Sequence, residues 1–230
     1  MRFVVSVDLG QKQDYSALSI TERKQEIIDP VNNPDTGVWK TEAERKTRIS
    51  TWYEVRYLHR WPLNTPYDDI AGRVSDIVHN PKLDSDVHLV VDGTGVGAGV
   101  VELFRQHDLV PVEIVIHGGK NVTRTGNRWN VPKMDLIAAL STLFERRLIN
   151  IAPSPFRDQF VDELATFRYK LRAGGGASAE AWRQRDHDDL VLSVAQGVWY
   201  HTYMGEQAGI SHKDEDKQAE AVTFDPFEGL

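Results

Sequence analysis

Two apolar runs in this chain end in the same way. Phe3-Val-Val-Ser-Val-Asp8 and His88-Leu-Val-Val-Asp92 are rich in the β-branched residues of a buried strand, and each finishes in a carboxylate followed by a glycine-containing turn. An unpaired charge is costly to take out of water, so a buried strand has no ordinary reason to end this way. If the two strands are parallel neighbours, their axes lie about 4.8 Å apart. Their acids then meet at the carboxyl edge of a sheet, where ligands gather in open α/β folds. Taken singly, either Asp could simply start a turn.

The other periodicities fill in a mixed sheet. Tyr15–Ile20 reads as a second strand joined to the first by a hairpin link, and Thr51–Leu58 as a third with one wetter face. Between them, residues 29–48 are rich in turn formers and charge and read as a loop insertion. Pro66 opens a helix with Ile70, Val74, Ile77 and Val78 at helical spacing. After the strand ending at Asp92 come a helix over Gly99–Gln106, a fifth strand over Val110–Ile116 and a long helix over Val131–Leu148. Phe156–Phe167 makes a further helix, a β-hairpin is expected around Gly174-Gly-Gly176, and a last helix runs from about Asp188 to Tyr203. The expectation is one α/β domain over residues 1–204: an antiparallel meander joined to parallel strands in a five-stranded sheet, flanked by helices. Residues 205–230 read as a flexible acidic tail.

Composition narrows the chemistry. There is no cysteine, so a metal must sit on carboxylates or histidines. No run approaches the roughly 20 apolar residues that span a bilayer, no signal-peptide pattern is present, and a cytoplasmic protein is expected. The net charge of -7 argues against a protein that coats nucleic acid. Basic residues nevertheless cluster twice. Lys120, Arg124, Arg128 and Lys133 flank a polar loop containing Trp129, and Arg168, Lys170, Arg172, Arg183 and Arg185 flank the triple-glycine hairpin. Each alone is ordinary solvated surface; together, beside an acidic centre, they are candidate phosphate contacts.

A third acidic group comes late, in His187-Asp188-Asp189-Leu190. Acids suit a helix start, and one of Asp188 and Asp189 serves as a cap on any reading. Three acids and a histidine within the four residues Asp186-His187-Asp188-Asp189 exceed what capping needs, and His187 beside the acids is a possible auxiliary ligand. Oxygen donors without thiolates favour a hard cation, Mg²⁺ or Mn²⁺. Carboxylates converging on one sheet end suit two-metal phosphodiester hydrolysis, with two ions about 3.5–4 Å apart.

The ordered set VSVDLGQKQDYSALSI, VVDGTGVGAGVVELF, VPKMDLIAALSTLFERRLINI and HDDLVLSVAQG resembles the C-terminal nuclease domain of phage terminase large subunits. The resemblance runs from about residue 2 to 203 and implies an RNase H-like fold. It also implies divalent-metal-dependent cleavage of concatemeric double-stranded DNA with little sequence specificity. Metal-binding acids fall at Asp8, Asp92 and the Asp188-Asp189 pair, with Asp189 preferred as the third catalytic acid. Implied partners are a packaging ATPase domain, a portal and a small terminase subunit, in the cytoplasm of an infected host. No G-x-x-x-x-G-K-[ST] occurs, and Gly118-Gly-Lys120 does not supply one. The expectation is therefore an excised or free-standing nuclease whose translocation is done by another module.

Competing readings start from the same residues. A Holliday-junction-resolvase-like nuclease shares fold and acids. An actin-like ATPase or sugar kinase also begins with strand, Asp and Gly, but needs a longer, duplicated chain. A non-catalytic DNA-binding module would bind without divalent ions. The glycines of Asp92–Gly99 follow G-x-G-x-G-x-G rather than the dinucleotide fingerprint. They read instead as places for backbone to approach a phosphate or the metal site.

Overall fold

In a computed structural model describing residues 1–10, 14–28, 48–83, 86–95, 98–173 and 188–207, the first apolar run is a strand, β1 (Phe3–Asp8), buried along its whole length. It pairs antiparallel with β2 (Ala17–Ile28), which pairs antiparallel with β3 (Arg48–Arg60). After α1 (Tyr67–Val78), β4 (Val87–Asp92) returns parallel to β1. α2 (Ala98–Gln106) then leads to β5 (Val112–His117), parallel to β4. The central order β3-β2-β1-β4-β5 is the expected RNase H-like core.

The sheet is larger than the five strands read from sequence. It has eight, in the order β6-β7-β5-β4-β1-β2-β3-β8. β6 (Thr123–Thr125) and β7 (Arg128–Pro132) extend one edge, and β8 (Ile149–Ile151) the other. β7 replaces the first turn expected of the long helix. Trp129 and Val131 alternate into the core, and α3 (Lys133–Glu145) starts only after Pro132. Proline suits the residue before a helix because it lacks an N–H and its ring would clash with the preceding turn in a helix interior.

Other boundaries move as well. Phe167–Arg172, read as a hairpin arm, continues α4 (Arg157–Ala173); Arg, Lys and Leu are good helix formers and no breaker intervenes before Gly174. The other arm of that hairpin lies outside the described residues. The β2–β3 ladder runs on to Ile28 paired with Arg48, and residues 29–47 of the expected insertion lie outside the described residues. α5 (Asp189–Gln207) extends past residue 204, and the rest of the expected tail is likewise outside.

Strand alternation sorts the interior into two layers. Phe3, Val5, Val7, Leu89 and Val91 face α1 and α2. Val4 and Val90 face the opposite side, with α3, Phe160 of α4, and α5. By the same alternation Asp8 and Asp92 point to the α5 side. α5 lies close over β1 and β2: a Cβ on Gly197 would stand 3.1 Å from Thr21 Oγ1 and 3.3 Å from Ser6 Cβ. This close approach carries the N-terminus of α5 to the strand ends. Among the described residues, no helix is long and apolar enough to cross a membrane.

Candidate active site: carboxylates at the sheet edge

The parallel register pairs Val7 with Val91, so the next residues, Asp8 and Asp92, end adjacent strands side by side. Both are buried, at 8% and 6% exposure. The Asp92 Oδ1 accepts the Thr94 N–H at 2.7 Å, so Asp92 does start a turn. Thr94 Oγ1 in turn accepts the Ile116 N–H at 2.7 Å, tying that turn to β5. The Asp8 carboxyl faces that of Asp92, and two like charges so close make it costly to ionise both. Burial, then the charges of Asp92, Asp188 and Asp189, push Asp8 well above the ordinary carboxylate range. Burial also raises Asp92, opposed by the Thr94 hydrogen bonds, by Asp8 and by the Lys133 charge.

The start of α5 brings the other acids. The Asp188 carbonyl accepts the Leu192 N–H at 2.8 Å, which places Asp188 as the residue that begins the helix. Capping is shared with a distant group: Glu163 Oε2, on α4, accepts the Leu190 N–H at 3.2 Å. The Asp188 side chain turns to Lys133 Nζ at 3.1 Å. Asp189, only 5% exposed, accepts from Arg60 Nε at 2.6 Å through Oδ2. Arg60 ends β3 and also forms an ion pair with Glu163; its guanidinium carbon lies 5.1 Å from the centre of the Tyr15 ring.

The glycine after β1 has a structural reason. A Cβ on Gly10 would collide with the carbonyl oxygens of Asp14 and Tyr15, while its own carbonyl accepts from Tyr67 Oη at 2.7 Å. The space is taken by the chain itself rather than left for a phosphate. At Gly93 the space is likewise filled, by the Glu113 side chain.

The candidate basic residues are placed differently from one another. Lys133 stands at the acids. Lys120, Arg124 and Arg128 are exposed. Arg124 lies over the Trp129 ring at 4.6 Å, and Arg128 pairs with Glu113 at 3.3 Å. Trp129 itself is buried on β7 rather than carried on a loop. Arg168, Lys170 and Arg172 belong to α4, and Arg183, Arg185 and His187 lie outside the described residues. Sequence reasoning missed Arg60, Glu163 and Thr94. Arg60 had a signal: the register aligns Asp8 with Ala17 and Ala17 with Arg60, so the meander alone places it at the same sheet edge.

Among the described residues, no three Asp, Glu or His side chains already stand in a coordinating arrangement. The donor chemistry still fits a hard divalent cation. The site is built of oxygen donors, Asp8 and Asp92 are held close against their mutual repulsion, and the outer acids are balanced by Lys133 and Arg60.

No family model matches the chain. Over 203 residues it is 24% identical to the terminase large subunit of Thermus phage G20c and equally so to that of Thermus virus P23-45, an overlap covering 88% of this chain. The chain is similar to phage terminase large subunits over most of its length. It spans about a third of the length of these curated relatives, 32%. Similar solved structures include the large terminase nuclease of phage G20c (18% identity, TM-score 0.47, covering 85% of this chain and 80% of that one). The human cytomegalovirus terminase nuclease domain in a Mn-soaked crystal is another (12% identity, TM-score 0.44, covering 88% and 84%).

Proposed function

We propose that this chain is a divalent-metal-dependent DNA endonuclease of the viral terminase type, which hydrolyses phosphodiester bonds of concatemeric phage DNA during genome packaging. The observation that carries this reading is the meeting of Asp8, Asp92 and the Asp188-Asp189 pair at one sheet edge, in a chain related over most of its length to terminase large subunits. Asp8 and Asp92 would share the cations, Asp189 would complete the site, and Asp188 is the alternative third ligand. Two Mg²⁺ or Mn²⁺ ions would supply activation of water and stabilisation of the leaving oxygen.

The chain's own groups do the rest. β1 and β4 fix the two central carboxylates with little freedom to move. Asp8 would hold a cation in its ionised form, with the cation's charge offsetting the repulsion from Asp92. Lys133 offsets the negative charge that would otherwise repel a phosphodiester. Lys120, Arg124 and Arg128, with Arg168, Lys170 and Arg172, supply sequence-independent phosphate contacts, and His187 is an auxiliary ligand at the acidic centre. Residues 1–204 act as the nuclease unit, working with a packaging ATPase domain, a portal and a small terminase subunit in the host cytoplasm.

Plasmid cleavage tests this directly. The protein should nick or linearise DNA with Mn²⁺ or Mg²⁺ and fail with EDTA, and Asp92→Asn should lose at least about a hundredfold in rate, the scale of losing a group that stabilises the transition state. Intact DNA with every metal, or equal cutting by Asp92→Asn, would sink the proposal. Cutting confined to four-way junctions would favour the resolvase-like reading instead.

A further inference from the structure

Arg60 is the cation most fully enclosed by the acidic site, and its surroundings fix it. It is held from three further segments: by Glu163 on α4, by Asp189 on α5 and by the face of Tyr15 ahead of β2. Its side chain is only 14% exposed. Glu163 meanwhile receives the Leu190 N–H, so one carboxylate anchors both the guanidinium and the first turn of α5. Acids that ligate metals are commonly held by just such outer hydrogen bonds.

We infer that Arg60, braced by Glu163, is a positioning residue that aims the Asp189 carboxylate at Asp8 and Asp92 for metal binding. This rests on the proposed nuclease reading. Lysine cannot replace it fully: its single ammonium lacks the planar fork that serves Glu163 and Asp189 together.

The sign of one measurement decides the matter. Deleting a positive charge beside a divalent-cation site should by itself tighten cation binding, whereas losing a positioning group should weaken it. Titration calorimetry with Mn²⁺ on the metal-free protein, without DNA, is compared for wild type, Arg60→Ala, Arg60→Lys and Glu163→Gln. The expected result is at least about tenfold weaker Mn²⁺ binding for Arg60→Ala, in the range seen when outer-sphere partners of a metal ligand are lost. Arg60→Lys should fall between it and wild type, and Glu163→Gln should show a smaller loss because the amide oxygen still accepts the Leu190 N–H.

Mn²⁺ binding by Arg60→Ala as tight as wild type or tighter overturns the inference. So does a lower melting temperature of the metal-free variant with unchanged affinity, which marks a purely structural contact. If circular dichroism shows Arg60→Ala unfolded, Arg60→Lys decides, and wild-type affinity there overturns the role. A wild type that binds no Mn²⁺ overturns the nuclease reading and this inference with it. Wild-type binding with unweakened variants overturns only the role of Arg60.

Discussion

Asp8 is where sequence and burial conflict most sharply. A strand buried along its length delivers a carboxyl group to a neighbour of like charge, and the group keeps its proton well above the ordinary carboxylate value of about 3.9. The native state therefore binds a proton that the unfolded chain releases. The stability linked to Asp8 is fully present below that ordinary value and is lost as pH rises through the raised one. In EDTA, urea unfolding should show this loss, and Asp8→Asn, isosteric and neutral, should flatten that part of the profile. An unchanged slope in Asp8→Asn would show that Asp8 is not the titrating group. Asp92 is the contrasting residue: it starts a turn, and the same carboxylate can accept from Thr94 and still face Asp8.

At the scale of elements, α5 decides whether the site exists. Asp188 and Asp189 reach the strand ends because the helix beds down on β1 and β2 at Gly197. A Cβ there already lies 3.1 Å from Thr21 Oγ1, so Gly197→Val, with two further methyls, has nowhere to go. Overpacking of this kind costs about 1–3 kcal/mol. The urea midpoint should fall accordingly, and a wild-type midpoint would mean that α5 is less closely seated than described. The helical periodicity of Leu190, Val191, Val194, Ala195 and Val198 was legible in sequence and all five are buried. The role of Glu163 in capping that helix was not, since it depends on α4 packing alongside.

For the whole molecule, acid stability should turn on His201. It is fully buried on α5, donating from Nε2 to the Thr21 carbonyl at 3.1 Å, with Nδ1 buried and without a partner. Burial brings its pKa from 6.5 down to about 3. The folded protein thus holds His201 neutral while the unfolded chain protonates below about 6.5, so stability falls as pH drops from there towards 3. This runs opposite to the Asp8 effect. His201→Gln, which retains a donor for Thr21, should lose less stability than wild type between pH 7 and pH 4 in thermal unfolding. An equal loss would place the acid sensitivity elsewhere.

The sequence alone determined the five central strands, most helices and the three acidic positions, because period-2 and helical patterns and strand-end acids are local signals. It also marked Asp8 and Asp92 as equivalents. Only the tertiary structure decided that these two share one edge with Asp189, that β6, β7 and β8 widen the sheet, and that Arg60 and Glu163 join the site. Arg60 and Asp189 lie 129 residues apart in the chain, and no local pattern encodes a contact made by packing α4 and α5 against the end of β3. Residue spacing supplied the carboxylates; register and helix packing supplied their neighbours, and with them the charge balance on which the proposed chemistry depends.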